Sequence, residues 1–204
     1  MAKGKLLKAH DRQALFEIPT EEDSLIRHYS LSPADRLEIE VRRREHNRLG
    51  FAAQLCLMRY PGRALLANEV PPAAMLDFIA GQIGADPASF DRYARREETR
   101  VNHVAHLLHY LEMRSPTAED RRAALLAAIE TAATTDKGMP IAKAIIASFR
   151  ENQALLPAAN MIERMGFPFA KQPGVRVFEK FERRKPALSR RRRPRCMTTS
   201  SMRS

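Results

Sequence analysis

The chain has 204 residues, a net charge of +11 and a hydrophobic content of 44%, which is enough for a packed core and argues against wholesale disorder. It has no Trp and only 6% aromatic residues, so the core must come from Leu, Ile, Met and Ala, as is typical of helix packing. No apolar run is long enough to span a membrane, and the N-terminal MAKGKLLKAHDRQ lacks the apolar centre of a signal peptide. We therefore expect a soluble, cytoplasmic, all-α protein.

The positive charge is concentrated at the C-terminal end. Residues 174–204 hold 11 Lys and Arg against 2 acidic residues, a net charge of +9, whereas the preceding 173 residues hold 24 against 22. We expect residues 167–204 to be a disordered basic tail, which either binds nucleic acid non-specifically or only adds solubility. Residues 175–181 alternate weakly, as in a strand. A DNA-binding surface elsewhere must come from local clusters.

Metal and catalytic motifs are missing from the sequence. Cys56 lies in an apolar run and is expected in the core, while Cys196 lies in the tail; neither has the spacing of a zinc site or a disulfide framework. His103, His106 and His109 recur at every third residue, which matches no known metal pattern. The chain has no HExxH, GxSxG, GxGxxG or phosphate-binding glycine loop. We expect no catalytic site, no metal and no cofactor.

Capping signals and apolar periodicity divide the chain into two or three small modules of the helix-turn-helix type, flanked by two terminal segments. The predicted segments are an N-terminal arm (1–19), a first DNA-binding module (20–66), a second one (67–115), a third helical segment (116–166) and the basic tail (167–204).

The first module is predicted to begin with two short helices. Thr20 precedes three acidic residues that suit the positive end of a helix dipole. Ser32 is a helix cap followed by proline, with Asp35 three residues later. Leu37 and Val41, one turn apart, are expected on the inner face of the second helix.

The next stretch, HNRLGFAAQLCLMRYPGR, is apolar on most of the helical circumference and is therefore expected to be largely buried. In the second module Gly84 is a predicted C-terminal cap and Asp86 a predicted N-terminal cap. The helical pattern then continues as one long helix or as two joined near Arg95.

The third segment is predicted to begin at Thr117, with Asp120 three residues later. Leu125, Leu126 and Ile129 are expected to form the apolar face of an alanine-rich helix. Two further helices follow, ending near residue 166.

Two basic clusters are candidates for DNA contact. The first comprises Arg42, Arg43, Arg44, His46, Asn47 and Arg48, at a junction between helices. Arginine can clamp phosphate or read guanine, and asparagine can pair with adenine. The alternative is a solvated surface at a basic helix end, which suits the dipole.

The second cluster places its members on one predicted helical face: Arg92, Arg96, Thr99, Arg100 and His103. Such a stripe could follow a DNA backbone. Glu97 and Glu98 lie nearby, so a self-neutralised solvated face is the alternative.

Three long stretches resemble, in the same order, the N-terminal region of transposases of the Tn-three family, which are large bacterial replicative transposases. They read RHYSLSPAD, RRREHNRLGFAAQLCLMRYPGR and EVPPAAMLDFIAGQIGADPASFDRYARREETRVNH, and a thinner similarity continues to LLPAANMIERMG. The resemblance covers roughly residues 7–166, which makes it far more specific than a single short motif.

The resemblance implies a helical region that recognises the terminal inverted repeats of a transposon, and it makes both basic clusters candidate DNA contacts. Double-stranded DNA is the implied partner, with the chain itself or full-length transposase as further partners. Family members are much longer and carry an Asp-Asp-Glu metal-dependent strand-transfer site far downstream. We therefore expect a non-enzymatic remnant, left by a premature stop or frameshift, rather than a short regulatory gene product.

Two other functions stay open. A helical interaction or regulatory protein would dock on full-length transposase or on itself. A small nuclease is disfavoured, because no carboxylate cluster on a strand scaffold is visible.

Overall fold

The structure, a computed structural model, describes residues 6–94 and 97–169. These two stretches form helices and contain no β-strand, which confirms the predicted all-α class. In chain order the helices are α1 (Ala9–Phe16), α2 (Glu22–Tyr29), α3 (Pro33–Glu40), α4 (Glu45–Arg59), α5 (Ala73–Ile83), a 3-10 helix (Pro87–Ser89), α6 (Phe90–Ala94), α7 (Glu97–Tyr110), α8 (Ala118–Thr134), α9 (Gly138–Glu151) and α10 (Ala159–Gly166). Outside the described residues lie Arg95 and Arg96, and also residues 170–204 of the predicted tail, which include Cys196 and the weak strand pattern.

Three predicted helix ends are confirmed. The side chains of Ser32 and Thr117 accept hydrogen bonds from the amides of Asp35 and Asp120, whose carboxylates accept from the cap amides in return. Each such cap stabilises its helix by about 1 kcal/mol. Gly84 ends α5 in the left-handed conformation (φ 62°), which glycine adopts without steric strain.

The long helix α4 is the centre of the first half of the fold. All of its residues from Leu49 to Met58 are buried, as its apolar pattern predicts, and Cys56 is a buried free thiol. The helix packs against α2, α3, α5, α6 and α7. Gly50 faces Tyr93 of α6 so closely that a Cβ atom on Gly50 would lie 2.1 Å from the ring. Glycine at this position therefore permits the contact between α4 and α6.

The buried face of α3 differs from the predicted one. Leu37 and Val41 are 66% and 69% exposed, whereas Asp35 and Ile39 are buried. Both pairs have the same spacing, so periodicity alone could not choose between them. Burial of Asp35 is possible because partners elsewhere in the chain satisfy its charge. The prediction for Leu37 and Val41 was wrong.

The described residues form two hydrophobic cores. The first is built by α2 to α7, so the predicted first and second modules share one core and pack as a single unit. The second is built by α8, α9 and α10 together with Leu6 and Leu7 of the predicted N-terminal arm. Arg150 of α9 donates a 2.9 Å hydrogen bond to the carbonyl of Pro61, which links the second core to the end of α4.

The helix α8 uses its alanines for packing. Ala124, Ala128 and Ala132 are buried together with Ile129, while Leu126 is 37% exposed. The predicted apolar face of Leu125, Leu126 and Ile129 is therefore confirmed for Ile129 and for Leu125, which packs partly buried against the second core, but not for Leu126. Small side chains allow α8 to lie close along α9, with which it packs.

Candidate nucleic-acid interface

The first basic cluster begins in the connection between α3 and α4. Because α3 ends at Glu40, residues 42–44, here called the arginine turn, lie after the helix and before the start of α4. Arg43 and Arg44 are exposed, and their side chains have no hydrogen-bond or ion-pair partner among the described residues. Arg44 directly precedes α4, which begins without a side-chain cap. Two cations therefore flank the positive end of a helix dipole, an arrangement that favours anions.

The first turn of α4 carries the rest of this cluster. His46, Asn47 and Arg48 are half-buried. The Oδ1 atom of Asn47 and the Nε atom of Arg48 have no hydrogen-bond partner in the described part of the chain. Glu45 accepts a 2.7 Å hydrogen bond from the amide of Asp86, which fixes the start of α4 against the segment after α5. The Asn47 and Arg48 atoms are both buried, so they are unpaired polar atoms inside a fixed helix end and not free hydrogen-bonding capacity at the surface.

Arg42 differs from the other two residues of the arginine turn, because its side chain is only 19% exposed. Its guanidinium carbon lies 4.4 Å from the centroid of the Phe51 ring. A terminal nitrogen of the same group lies 3.3 Å from Nε2 of His106 and 3.8 Å from a carboxylate oxygen of Glu38. Arg42 is therefore engaged with three helices of the protein itself.

The second predicted cluster does not form one exposed stripe. Arg92 on α6 is exposed, and Arg96 lies outside the described residues. Arg100 and His103 of α7 are only 8% and 7% exposed. The predicted stripe was wrong because α7 packs this face against α4. Arg100 also donates a 3.2 Å hydrogen bond to the carbonyl of Leu66.

His103 belongs to a buried polar chain. Its ring stacks on Tyr93 with 5.5 Å between centroids, and its Nδ1 atom lies 3.1 Å from the Tyr93 hydroxyl. Gln54 donates to that hydroxyl at 3.5 Å and accepts from the amide of Leu65 at 3.0 Å. Burial, together with the nearby charge of Arg42, lowers the pKa of His103 to about 4. His103 is therefore neutral at pH 7 and brings no positive charge to the surface.

A buried acid that organises this region was not found from the sequence. Asp35 is fully buried and accepts two hydrogen bonds from Arg59 and one from the hydroxyl of Tyr110. Burial opposes ionisation, but the hydrogen bonds from Arg59, Ser32 and Tyr110 outweigh it and hold the pKa of Asp35 well below its usual range. Its capping role was visible locally. Arg59 and Tyr110, which are 24 and 75 residues away, had no local signal.

Within residues 6–94 and 97–169, no group of three or more His, Cys, Asp and Glu side chains could hold a metal ion. His106 instead lies 2.8 Å from a Glu38 oxygen through Nε2, and His109 is exposed. In the same part of the chain, no helix has the length and apolar character needed to cross a bilayer.

Comparison with known proteins gives one family and a set of relatives. The sequence profile described as "Domain of unknown function (DUF4158)" matches residues 6–167. The transposase for transposon Tn501 from Pseudomonas aeruginosa is 38% identical over 164 residues, which are 80% of this chain and 17% of the relative. The transposase for transposon Tn21 from Escherichia coli is 35% identical over 88% of this chain and 18% of its own length.

A more distant relative is the transposase for transposon Tn1546 from Enterococcus faecium, which is 32% identical over 81% of this chain and 17% of its own length. The chain thus spans less than one fifth of the length of these three relatives. The residues that match the family, 6–167, contain the arginine turn and all of the described helices.

Proposed function

Because the chain belongs to the DUF4158 family and is related to transposases of the Tn-three family, we propose that it binds the double-stranded DNA of transposon ends. The contact surface is formed by Arg43 and Arg44 of the arginine turn together with the first turn of α4. The observation that carries this proposal is the exposure of Arg43 and Arg44, unpaired among the described residues, beside an uncapped helix start. A role connected with transposition follows from the family.

The surface divides into two kinds of contact. Arg43 and Arg44 suit phosphates, because they are exposed and lie at the positive end of α4. Asn47 and Arg48 are half-buried in the first turn of this fixed helix, and their amide and guanidinium groups are of the types that pair with the edges of adenine and guanine; His46 lies beside them. Exposed Arg92 on α6, which packs against α4, adds a phosphate contact. Arg100 and His103 support this surface from the interior.

The proposal concerns recognition of DNA and not strand transfer. The chain corresponds to less than one fifth of each compared relative, so the chemistry that their names imply is not carried over to it. We place its action in the bacterial cytoplasm, on transposon DNA, without a cofactor.

The test is binding of the full chain to a duplex with the terminal sequence of transposon Tn501 and to a scrambled duplex. Arg48→Ala should lose more affinity for the end than for the scrambled duplex, since a base contact contributes about 1–3 kcal/mol of discrimination. Arg43→Ala should weaken both duplexes alike. Arg121→Ala, which removes an exposed cation from α8, is the matched control. Absence of binding by the folded protein would remove the proposal.

A second candidate function is docking on another copy of this chain or on full-length transposase. It is favoured by one observation, the neighbouring exposed side chains Leu37 and Val41 on α3. Sedimentation of the full chain with and without DNA separates the two functions. A monomer that associates only on DNA supports DNA binding, whereas association without DNA that is lost in Leu37→Ser with Val41→Ser supports docking.

A further inference from the structure

Three consecutive arginines in the arginine turn have two different environments. Arg43 and Arg44 are exposed, and their side chains have no partner among the described residues. Arg42 has an aromatic ring below its guanidinium plane, a histidine at 3.3 Å and a carboxylate at 3.8 Å. The three side chains are chemically identical and differ only in their surroundings. These surroundings assign different roles to neighbouring arginines.

The partners of Arg42 are themselves held in place. Phe51 is fully buried in α4 and also contacts the ring of His106, with 5.6 Å between centroids. Nε2 of His106 lies 2.8 Å from a carboxylate oxygen of Glu38. That nitrogen can donate to Glu38 or accept from Arg42, and in both cases the Glu38 carboxylate, 3.8 Å from Arg42, attracts the guanidinium as an ion pair. Arg42 therefore joins α3, α4 and α7 at one point.

We infer that Arg42 is a positioning residue for the DNA-binding surface and not one of its DNA contacts, an inference that rests on the proposed function. The Arg42 backbone amide donates a 3.0 Å hydrogen bond to the carbonyl of Ile39, so the start of the turn follows α3. The side chain then fixes that turn to α4 and α7. This holds the backbone of the exposed Arg43 and Arg44 in a fixed position, which lowers the conformational entropy lost when their side chains bind phosphate.

Reaching phosphate would require Arg42 to leave its present partners. It would give up the cation–π contact with the Phe51 ring and the ion pair with Glu38. A single phosphate contact at the surface offers no clear gain over this arrangement. Arg43 and Arg44 lose no such contacts.

The test uses the full chain and a random-sequence duplex, because the salt dependence of binding counts phosphate contacts without regard to sequence. Arg42→Met keeps an apolar stem over Phe51 but removes the charge and hydrogen bonds. We expect it to weaken binding about three- to tenfold, within the range for coupled contacting residues, with an unchanged slope of log K against log salt. Arg43→Met should weaken binding and also reduce that slope by about 0.9.

Glu38 provides the second arm of the test. Glu38→Gln should weaken binding about as much as Arg42→Met. The double variant should bind DNA no more weakly than either single variant, because both substitutions disrupt the same contacts of the Arg42 side chain. Glu40→Gln, at an exposed acid of the same helix, removes the same charge and should cause no loss. Circular dichroism at the assay temperature shows that each variant is folded.

Three results would overturn the inference while leaving DNA binding intact. One is a slope reduced by Arg42→Met as much as by Arg43→Met, the sign of a direct contact. Another is tighter binding by Glu38→Gln that Arg42→Met abolishes, which would mean that Glu38 withholds Arg42 from DNA. The third is additive or absent losses for the two variants. If Arg43→Met and Arg44→Met also bind as the wild type does, the proposed function fails together with the inference.

Discussion

The hydroxyl of Tyr110 donates a 2.8 Å hydrogen bond to the carboxylate of Asp35, which joins the end of α7 to the first turn of α3 at a fully buried acid. Arg59 of α4 reaches the same carboxylate with hydrogen bonds of 2.8 and 2.6 Å. Three helices of the first core thus meet at one negative charge. The arginine turn lies between two of them.

Removing the charge of Asp35 should destabilise the protein. Asp35→Asn should lower the free energy of unfolding by about 2–3 kcal/mol, less than for a fully buried pair because the Arg59 side chain is 33% exposed. Urea denaturation followed by circular dichroism measures the change. Asp77→Asn, at an exposed acid on α5, should change stability by no more than about 0.5 kcal/mol. Equal effects of the two substitutions would contradict the assigned role of Asp35.

Two glycines offer a matched pair of substitutions. Gly50→Ala places a Cβ atom against the Tyr93 ring and should destabilise the fold by about 1–3 kcal/mol or more. Gly81→Ala lies within α5, where no atom is within 4 Å of the new Cβ, and should stabilise it by up to about 1 kcal/mol. Thermal unfolding of both variants gives the sign directly. A stable Gly50→Ala variant would mean that α4 and α6 can separate freely.

His103 should make stability depend on pH. The ordinary pKa of 6.5 applies to the unfolded chain, and burial lowers the folded value to about 4. The unfolded state therefore binds more protons between pH 6.5 and 4, so the free energy of unfolding should fall as the pH falls through this window, by at most about 1.4 kcal/mol per unit.

The comparison for this pH effect is His103→Gln, which should flatten the stability curve between pH 6.5 and 4. The fold lowers the pKa values of Asp35 and Asp120, so the stability that these acids begin to lose near the acid end of the window is lost equally in both proteins. His109→Gln changes an exposed histidine and should leave the slope as it is. Identical curves of unfolding free energy against pH for the wild type and His103→Gln would show that His103 does not cause the pH dependence.

The charge of residues 174–204 predicts their contribution to DNA binding. In the full chain, replacing the arginines at 190–193 with glutamine should reduce the salt slope by up to about 0.9 for each arginine that meets phosphate. The ratio of affinities for the Tn501 end and the scrambled duplex should not fall, because phosphate contacts are shared by all sequences. A lower ratio would show that this segment takes part in sequence recognition.

Local features of the fold were predictable from the sequence. The caps at Ser32 and Thr117 and the buried α4 depend on residues within a turn or two of each other, so spacing alone identifies them. The family resemblance was likewise visible in contiguous stretches, which agree with the matched residues 6–167.

Features that depend on distant partners were not predictable. Periodicity shows that Arg100 and His103 share a helical face, but not that this face packs against α4. Leu37 is exposed because Asp35, on the other side of α3, has its charge satisfied by a residue of α4. In each case pairing across the fold outweighed the usual preference of a charged or apolar residue.

Leu6 and Leu7 complete the second core, and Gly138 leaves room for them, since a Cβ atom there would lie 2.0 Å from the Leu6 carbonyl oxygen. During synthesis these leucines leave the ribosome before the rest of the described residues, whereas α9 and α10 leave it after almost all of them. The buried members of the other core lie between Leu25 and Leu107, so that half can close while synthesis continues. Leu6 and Leu7, which are synthesised before the other described residues, are therefore among the last of them to reach their native contacts.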